Sequence, residues 1–368
     1  MKRRRRRPGK HSLYEARVGA GLTAALWRAR HLDRWPEHVS RWLDVDADRL
    51  VILSDLHRGK RDRADDFLPC ENAYRRALDH YLETGFTLAL LGDAEELWKS
   101  GPDDVISAYP EVYAREAAFH ADGRLLRFWG NHDEEWASPV LVEQKLDPVH
   151  PPGDLLVGES LLLEARRDGR TLGSIFLVHG HQGTGFSDTL AFLARFSVRF
   201  VWKPLQHVTR ASRTAPSANR RLREKHNSAT RRWAEAHEKL LLITGHTHRP
   251  VFASISILDE LERRLGIEID QITARSDDEE FWDDVVTDCM KRGWLGDDAP
   301  CGPPAPDGRR QLQPSLFNSG CCCFNDGRIT GIEISEGAIR LVLWSPGLSL
   351  GRRVLARADM ERVFERIA

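Results

Sequence analysis

Short apolar runs alternate with longer amphipathic segments along most of this chain, and each run gives way to a polar cluster. The runs stand in "RLVILSDLH", "TLALLGDAEELW", "LLRFWGNHDEEW", "SIFLVHGHQG" and "LLLITGHTHRP". Apolar runs of this length are typical of buried strands, and strands that alternate with helices indicate an α/β fold. The pattern therefore predicts an α/β sheet whose strands end in polar clusters along one edge.

The two ends of the chain follow different patterns. Near the C-terminus, "LFNSGCCCF", "RITGIEIS" and "AIRLVLWS" are strand-like runs with tight turns between them, so the sheet is predicted to finish antiparallel. Leu22, Leu26 and Trp27 are spaced to form one apolar helix face, which predicts a helical extension over residues 14–44. Residues 1–13 are predicted to be a disordered basic tail, and residues 349–368 a C-terminal helix.

Two long segments interrupt the alternation inside a predicted α/β domain over residues 45–348. Residues 187–240 are helical in pattern, and between Arg195 and Arg232 they have eleven Lys or Arg against one acid. Residues 257–312 form an acidic insertion, with fourteen Asp or Glu against five Lys or Arg between 257 and 299. Because the basic segment lies between the last two polar clusters, it is predicted to cap the site and to favour an anionic substrate.

Composition is that of a soluble globular protein, with 41% hydrophobic and 30% charged residues in a chain of 368. The net charge is −1 although the first ten residues carry seven positive charges, so the tail is a separate feature. It serves solubility or attracts nucleic acid or anionic lipid weakly. No apolar run approaches the ~20 residues that cross a bilayer, and no convincing signal-peptide cleavage site follows the tail. A cytoplasmic location is expected, and peripheral membrane contact and the oligomeric state are left open.

The cysteines do not form a recognisable framework. The chain has six of them, with three consecutive at Cys321, Cys322 and Cys323, and their spacing matches neither a disulfide scaffold nor a C-x-x-C metal site. Successive strand residues point to opposite faces, so three neighbours cannot all bind one ion. The cysteines are therefore predicted to be reduced packing residues.

The polar clusters contain side chains that bind metals. The candidates are Asp55, His57, Asp93, Asn131, His132, His179, His246 and His248. Carboxylates, imidazoles and an amide oxygen suit borderline or hard ions such as Mn²⁺, Fe²⁺ or Zn²⁺. Two such ions ~3.5–4 Å apart need a shared carboxylate, and together they can clamp a phosphate. The sequence therefore predicts a dinuclear site for phosphate chemistry.

The ordered motifs D-x-H, G-D-x-x-E, G-N-H-D, H-G-H and G-H-T-H resemble those of the calcineurin-like metallophosphoesterase family. The likeness spans roughly residues 50–250, and "NSG" extends it toward residue 345. The resemblance implies a four-layer α/β/β/α sandwich with mixed sheets and a helical cap insertion. It implies a first ion on Asp55, His57 and His248, a bridging Asp93, and a second ion on Asn131, His179 and His246. The implied ions are Mn²⁺, Fe²⁺ or Fe³⁺, with Zn²⁺ as an alternative.

The same resemblance implies roles in catalysis, and positions beside the motifs suggest contacts with substrate. His132 corresponds to the histidine that stabilises or protonates the leaving oxygen, and Glu96 stands where family members often have an aspartate that orients this histidine. Arg58 and Arg249 follow the first and last motifs and are expected to contact phosphate oxygens. His181 is expected to face away from the position of His179 or to contact the substrate.

The expected activity is metal-dependent hydrolysis of phosphodiesters. "GDAEELW", "GHTHRP" and the helical insertion are similar to the branch that contains UDP-2,3-diacylglucosamine pyrophosphatase, so a nucleotide-sugar pyrophosphatase is an alternative, as is a phosphomonoesterase. That branch has arginine and aspartate where this chain has His132 and His181. A nuclease is less favoured because aromatic residues are sparse between Thr209 and Arg232. A non-catalytic binding module is less favoured because the chain retains all seven ligands and His132.

Overall fold

The computed structural model of the chain describes residues 10–32, 35–184, 220–256, 312–346 and 351–368. Within these residues, the strands form two mixed sheets of seven strands each. In spatial order, sheet I consists of β1 (Trp42–Asp44), β6 (Ser160–Arg167), β7 (Arg170–Val178), β8 (Leu240–Thr244), β11 (Leu316–Asn318), β9 (Val251–Phe252) and β10 (Ile255–Ser256). Sheet II consists of β14 (Arg352–Asp359), β13 (Ala338–Trp344), β12 (Ile329–Ser335), β2 (Leu50–Leu53), β3 (Thr87–Leu91), β4 (Leu125–Phe128) and β5 (Val157–Gly158).

Helices cover the outer faces of both sheets. The α-helices in the described part of the chain are α1 (Lys10–His31), α2 (Glu71–Glu83), α3 (Pro102–Ala108), α4 (Pro110–Ala121), α5 (Pro139–Lys145), α6 (Arg220–Glu235) and α7 (Met360–Arg366). Short 3₁₀ turns span Leu68–Cys70, Glu134–Ala137 and Asp147–Val149. None of the helices in the described ranges is long and apolar enough to span a bilayer.

The alternation of side chains along each buried strand builds the layers. In β3, Ala89 joins the core between the two sheets, whereas Leu90 joins the core beneath α2 and α4. In β7, Leu177 faces sheet II and Phe176 faces α1 and α6. Successive strand residues point to opposite faces, so strands with an apolar residue at every position are buried on both sides. The structure is therefore a four-layer α/β/β/α sandwich, as the resemblance implies.

Strand directions bring the carboxyl ends of several strands to the same edge. In sheet II, β2, β3 and β4 are parallel neighbours, and in sheet I, β7, β8 and β11 are parallel neighbours. The prediction of an antiparallel end is confirmed, because β12, β13 and β14 pair antiparallel beside β2. Each of the five motifs therefore begins at the carboxyl end of a strand, three in sheet II and two in sheet I.

Three predicted boundaries differ from the structure. The predicted C-terminal helix is wrong over Arg352–Asp359, which forms β14 on the edge of β13 and leaves only Met360–Arg366 helical. Backbone pairing with β13 satisfies the groups of this segment, and Asp359 caps the short helix by accepting from Arg362 N. Helix α1 begins at Lys10, inside the predicted tail, and Trp42–Asp44 is a strand inside the predicted helical extension. The acidic insertion over 257–311 and residues 185–219 of the basic insertion lie outside the described residues.

Candidate metal centre

Strand-end loops from both sheets meet at one edge of the sandwich. The backbone N of His246, which follows β8 of sheet I, donates to Asp55 Oδ2 at 2.9 Å, and Asp55 follows β2 of sheet II. The backbone N of His132 donates to Asp93 Oδ1 at 2.7 Å, which joins the loops after β4 and β3. The motifs are therefore fixed to one another by hydrogen bonds between main chain and carboxylate.

Several predicted ligands have a strained backbone conformation. Asp55, His57, Asp93, His246 and His248 all have φ values between 52° and 69°. Non-glycine residues rarely occupy this left-handed region, where each costs about 1–3 kcal/mol and where strained residues cluster at functional sites. Five of the seven predicted ligands thus adopt a conformation that the surrounding structure must hold in place.

Asp55, His57 and His248 form the first cluster. His248 Nε2 lies 3.3 Å from Asp55 Oδ1 and 3.0 Å from His57 Nε2. Atoms bonded to one ion at ~2.0–2.2 Å lie ~3–3.5 Å apart, so these spacings suit three ligands of a single ion. Two imidazole nitrogens that face each other at 3.0 Å require either a proton or a cation between them.

The second cluster contains buried ligand atoms without partners. Asn131 Oδ1 and His246 Nε2 are buried and have no hydrogen-bond partner among the described residues, and the buried His179 Nε2 is paired with Asp93 Oδ2 at 3.1 Å. Leaving a buried polar atom unsatisfied costs about 1–3 kcal/mol, a cost that a bound cation would remove. The ligand atoms of Asp93, His179 and His246 lie within 4.8 Å of one another. These residues therefore fit a second ion.

Asp93 belongs to both clusters. Its Oδ2 lies 3.8 Å from His57 Nε2 and 3.1 Å from His179 Nε2. Burial acts to raise the pKa of Asp93, but the neighbouring His179 and His132 hold this pKa well below its usual range. A charged, buried carboxylate between two nitrogen clusters has the position that the shared ligand of a dinuclear site would need.

The tautomers of two ligands are set by bonds on the side of the ring away from the clusters. His179 Nδ1 bonds Leu91 O at 2.8 Å, and a carbonyl accepts only from a protonated nitrogen. His57 Nδ1 lies 3.3 Å from Glu96 Oε2, which also favours a proton on Nδ1. With Nδ1 bonded on the far side, Nε2 is the nitrogen of each ring that faces the clusters and would bind an ion, which is the usual arrangement around bound ions.

His132 lies at the partly exposed side of the site, oriented by Glu96. Its Nδ1 is 3.0 Å from both carboxylate oxygens of Glu96, and its ring stacks on Trp98 with 3.9 Å between centroids. Burial acts to lower the pKa of His132, but Glu96 and Asp93 together raise this pKa above its usual value. The ring is thus held in one orientation by a carboxylate and an indole, and its Nε2 remains directed away from Glu96.

Residues that the motif analysis did not assign hold the loops together. Asp133 accepts from Gly130 N at 2.6 Å and from Ala94 N at 2.8 Å, which ties the loop after β4 to the loop after β3. Asn318 Nδ2 donates to Thr244 Oγ1 at 3.1 Å at the end of β8. Both lie in the quoted motifs, "GNHD" and "NSG", but short polar residues in loops give no indication of which backbone groups they will bond.

Arg58 requires a correction, because it cannot contact a substrate phosphate. Its side chain is fully buried, with Nη1 2.7 Å from Glu116 Oε1 and Nη2 2.7 Å from Glu95 Oε1. The guanidinium also lies over the ring of Tyr113, 4.5 Å from its centroid. A buried charge is tolerated only when it is paired, and here every end of the guanidinium is engaged within the protein.

Arg127 completes a buried quartet with Arg58, Glu95 and Glu116. Arg127 Nη2 lies 2.5 Å from Glu95 Oε1, and Nη1 lies 3.3 Å from Glu116 Oε2. The backbone N of Arg58 donates to Ala94 O at 3.0 Å, so the quartet is attached directly to the loop that carries Asp93. This network of two arginines and two glutamates therefore supports the first two motifs from beneath.

The remaining candidates lie close to the centre. His181 is buried, with its ring 5.4 Å from that of His179, and its Nδ1 has no hydrogen-bond partner among the described residues. Arg249 is buried directly after His248. Contact of either residue with substrate stays a prediction. Cys323, expected to be a packing residue, has its Sγ 3.7 Å from His248 Nδ1, beside the first cluster.

Sequence reasoning missed His226, a buried residue of α6. Its ring lies 5.2 Å from the ring of His246, at 67° between planes. The basic charge of the insertion predicts a cap over the site that binds an anionic substrate, whereas one face of α6 is buried against α1 and sheet I. The only signal was a lone histidine in "REKHNSATRRW".

Comparisons with known proteins add little to this picture. No protein-family model matches the chain, and none of the curated proteins does either. A conserved uncharacterized protein from Streptococcus pneumoniae TIGR4, described as a predicted phosphoesterase, is similar with 11% identity and a TM-score of 0.29, covering 84% of this chain and 97% of its own. A dimetal phosphatase from Danio rerio is similar with 10% identity and a TM-score of 0.34, covering 86% and 99%. Because these scores are low, the functional argument depends on the residues of the site.

Proposed function

We propose that this protein is a metal-dependent hydrolase of phosphoesters that uses two divalent ions, with phosphodiesters as its preferred substrates. The observation that carries the proposal is Asp93, a buried charged carboxylate shared by two clusters of ligand atoms. A structural ion pair would not need partnerless nitrogen and amide oxygen atoms on the second side of Asp93. Two ions between these groups would satisfy all of them.

The residues present fit two ions, and each residue has a separate role in binding them. Asp55, His57 and His248 would hold one ion, Asn131, His179 and His246 the other, and Asp93 both. When bound, such ions supply Lewis acidity that activates water and offsets phosphate charge. Carboxylate, imidazole and amide donors suit Mn²⁺, iron or Zn²⁺.

His132 provides the proton that the leaving oxygen requires. Since Glu96 takes up the Nδ1 side of the ring, the proton available for transfer is on Nε2, and the neighbouring carboxylates favour the protonated ring. Trp98 limits rotation of the imidazole by stacking on its face. The chain's own part in the chemistry is therefore to place a proton donor beside the site and to keep its direction fixed.

Removal of the metal should abolish activity. We expect about two ions per chain after purification in the presence of Mn²⁺, because the site has two clusters and one shared carboxylate. A chelator should eliminate hydrolysis of bis(4-nitrophenyl) phosphate, and added Mn²⁺ should restore it. Elemental analysis and absorbance assays measure the two quantities. Full activity in metal-free protein would contradict the proposal.

Replacement of His132 should cost more for poor leaving groups than for good ones. General acid catalysis contributes about 10²–10⁴-fold, mostly where the leaving oxygen is basic. We therefore expect His132→Ala to lower kcat for a phenyl phosphodiester by at least tenfold more than for a 4-nitrophenyl phosphodiester. Glu96→Gln should give a smaller effect of the same kind because the ring stays in place but loses its anionic partner. Equal losses for both substrates would contradict the role of His132 as an acid.

A substrate screen tests the preferred class. It should compare simple phosphodiesters, cyclic nucleotides, nucleotide sugars and phosphomonoesters at equal concentration with the Mn²⁺-loaded protein. Highest kcat/KM for diesters is the expected result. Preference for nucleotide sugars would favour the pyrophosphatase instead, and preference for monoesters would favour a phosphatase.

A further inference from the structure

Helix α1 touches the loop that carries His179, at a point where neither backbone has room for a side chain. A Cβ added to Gly183 would lie 2.1 Å from Arg17 O, and one added to Gly21 would lie 2.5 Å from Gly183 N. Real Cβ atoms do not approach backbone so closely. The helix and the loop over 179–183 are therefore in direct main-chain contact.

A second contact joins α1 to α6. The Tyr14 hydroxyl lies 3.0 Å from His226 Nδ1, and Lys225 Nζ lies 4.3 Å from the centroid of the Tyr14 ring. His226 is 2% exposed, and its bond with Tyr14 is partly buried. A buried imidazole needs partners for its nitrogens, and Tyr14 supplies one of them.

The other contacts of His226 lead to the second ligand cluster. The ring also lies close to the backbone of Gly180, the residue between His179 and His181. It packs edge-on against the ring of His246, with 5.2 Å between centroids. His226 therefore lies beside the loop of His179 and beside the ring of His246, and its Nδ1 atom bonds Tyr14 of α1.

We propose that Tyr14 and His226 are positioning residues for the second metal ion, holding the His179 loop and the His246 ring in the geometry that binds it. This inference rests on the proposed two-metal function. Groups that orient metal ligands typically change affinity by about 10–100-fold when they are removed. Helix α1 is then a part of the metal centre, although it carries no ligand.

A purely structural role for α1 makes a different prediction. Val18, Leu22, Ala25 and Leu26 of this helix are buried against β7, β8 and α6, so the helix also covers sheet I. If covering the sheet were its only role, the loss of any contact between α1 and α6 would change Mn²⁺ affinity to the same degree. The Trp233 Nε1 bond to Thr23 Oγ1, at 2.9 Å, is such a contact and touches no ligand, so Thr23→Val is the matched control.

The experiment measures Mn²⁺ affinity directly. Wild type, Tyr14→Phe, His226→Ala, His226→Gln and Thr23→Val are titrated with Mn²⁺ against a competing chelator, and bound metal is counted by elemental analysis. We expect one of the two Mn²⁺ ions to bind about tenfold less tightly in Tyr14→Phe and about 10–100-fold less tightly in His226→Ala, while the affinity for the other ion stays close to that of the wild type. His226→Gln should recover part of the loss, and Thr23→Val should bind as wild type does. Excess Mn²⁺ should restore kcat in Tyr14→Phe.

Two results would overturn the inference. Wild-type affinity for both ions in Tyr14→Phe and His226→Ala would show that these residues do not position the ligands. An equal loss in Thr23→Val would show that α1 acts only by covering the sheet. A wild-type protein that binds two ions without hydrolysing any phosphoester would refute the proposed function while leaving the inference standing, and one that binds no ions would refute both.

Discussion

Replacing Asp93 with alanine is expected to lower kcat/KM for bis(4-nitrophenyl) phosphate by about 10³-fold or more. Both ligand clusters include Asp93, so its removal weakens two ions together, and a loss of about 4 kcal/mol in transition-state stabilisation is about 10³ in rate. Bound metal should fall below the level of the wild type, and excess Mn²⁺ should not restore activity. Kinetics and elemental analysis of the folded variant measure both effects.

Two further variants test whether the loss of activity comes from the charge of Asp93. Asp93→Asn keeps an oxygen that can accept from His132 N, so a loss similar to that of alanine would assign the effect to the lost charge. Asp103, an exposed carboxylate paired with Lys145, serves as the control, and Asp103→Ala should leave kcat/KM unchanged. Normal turnover by Asp93→Ala in a folded protein would refute the two-metal mechanism.

Arg127→Met is expected to destabilise the protein by about 3–5 kcal/mol, the usual cost of removing one partner from a buried charge network. The reason is that Glu95 and Glu116 would keep their buried charges with only Arg58 left between them. Burial acts to raise the pKa of Glu116, but Arg58, His150 and Arg127 lower this pKa to about 2 in the intact quartet. The difference in the free energy of unfolding between the variant and the wild type, measured by urea titration, tests this prediction.

An exposed ion pair is the control for Arg127. Lys145 Nζ lies 2.8 Å from Asp103 Oδ2, and both side chains are solvent-accessible, so Lys145→Ala should cost less than about 1 kcal/mol. If Arg127→Met and Lys145→Ala lower the free energy of unfolding equally, the buried quartet stabilises the protein no more than an exposed ion pair does. Since Arg58 is attached to the loop of Asp93, Arg127→Met should also reduce metal affinity at temperatures well below unfolding.

Much of the fold could be predicted because the buried strands are nearly continuous apolar runs. β2, β3, β4, β7 and β8 all lie where "LVIL", "TLALL", "LLRF", "SIFLV" and "LLLIT" place them. β14 could not be predicted in this way, since "RRVLARAD" has charges at several positions and becomes a strand only through pairing with β13. β1 and β5 are two or three residues long, too short for any periodicity to show.

Contacts with residues distant in sequence determine side-chain positions that the motif pattern could not predict. Arg58 follows His57, and its position beside a ligand suggested contact with phosphate. Its partner Glu116 comes from α4, and packing of α4 against sheet II turns the guanidinium inward. His226 is in the same situation, because only the packing of α6 beneath α1 brings it to His246.

By itself the sequence determined the types of ligand and their place at strand ends, because chemistry restricts which side chains bind such ions and apolar runs mark the strands that precede them. Only the tertiary structure decided how those ligands are grouped around Asp93, which ring nitrogens face the clusters, and which residues hold them. Those properties depend on distances between segments of different sheets and helices, such as the bond from His246 N to Asp55. Local sequence does not contain them, since they arise only when two sheets and the helices on their outer faces pack into one sandwich.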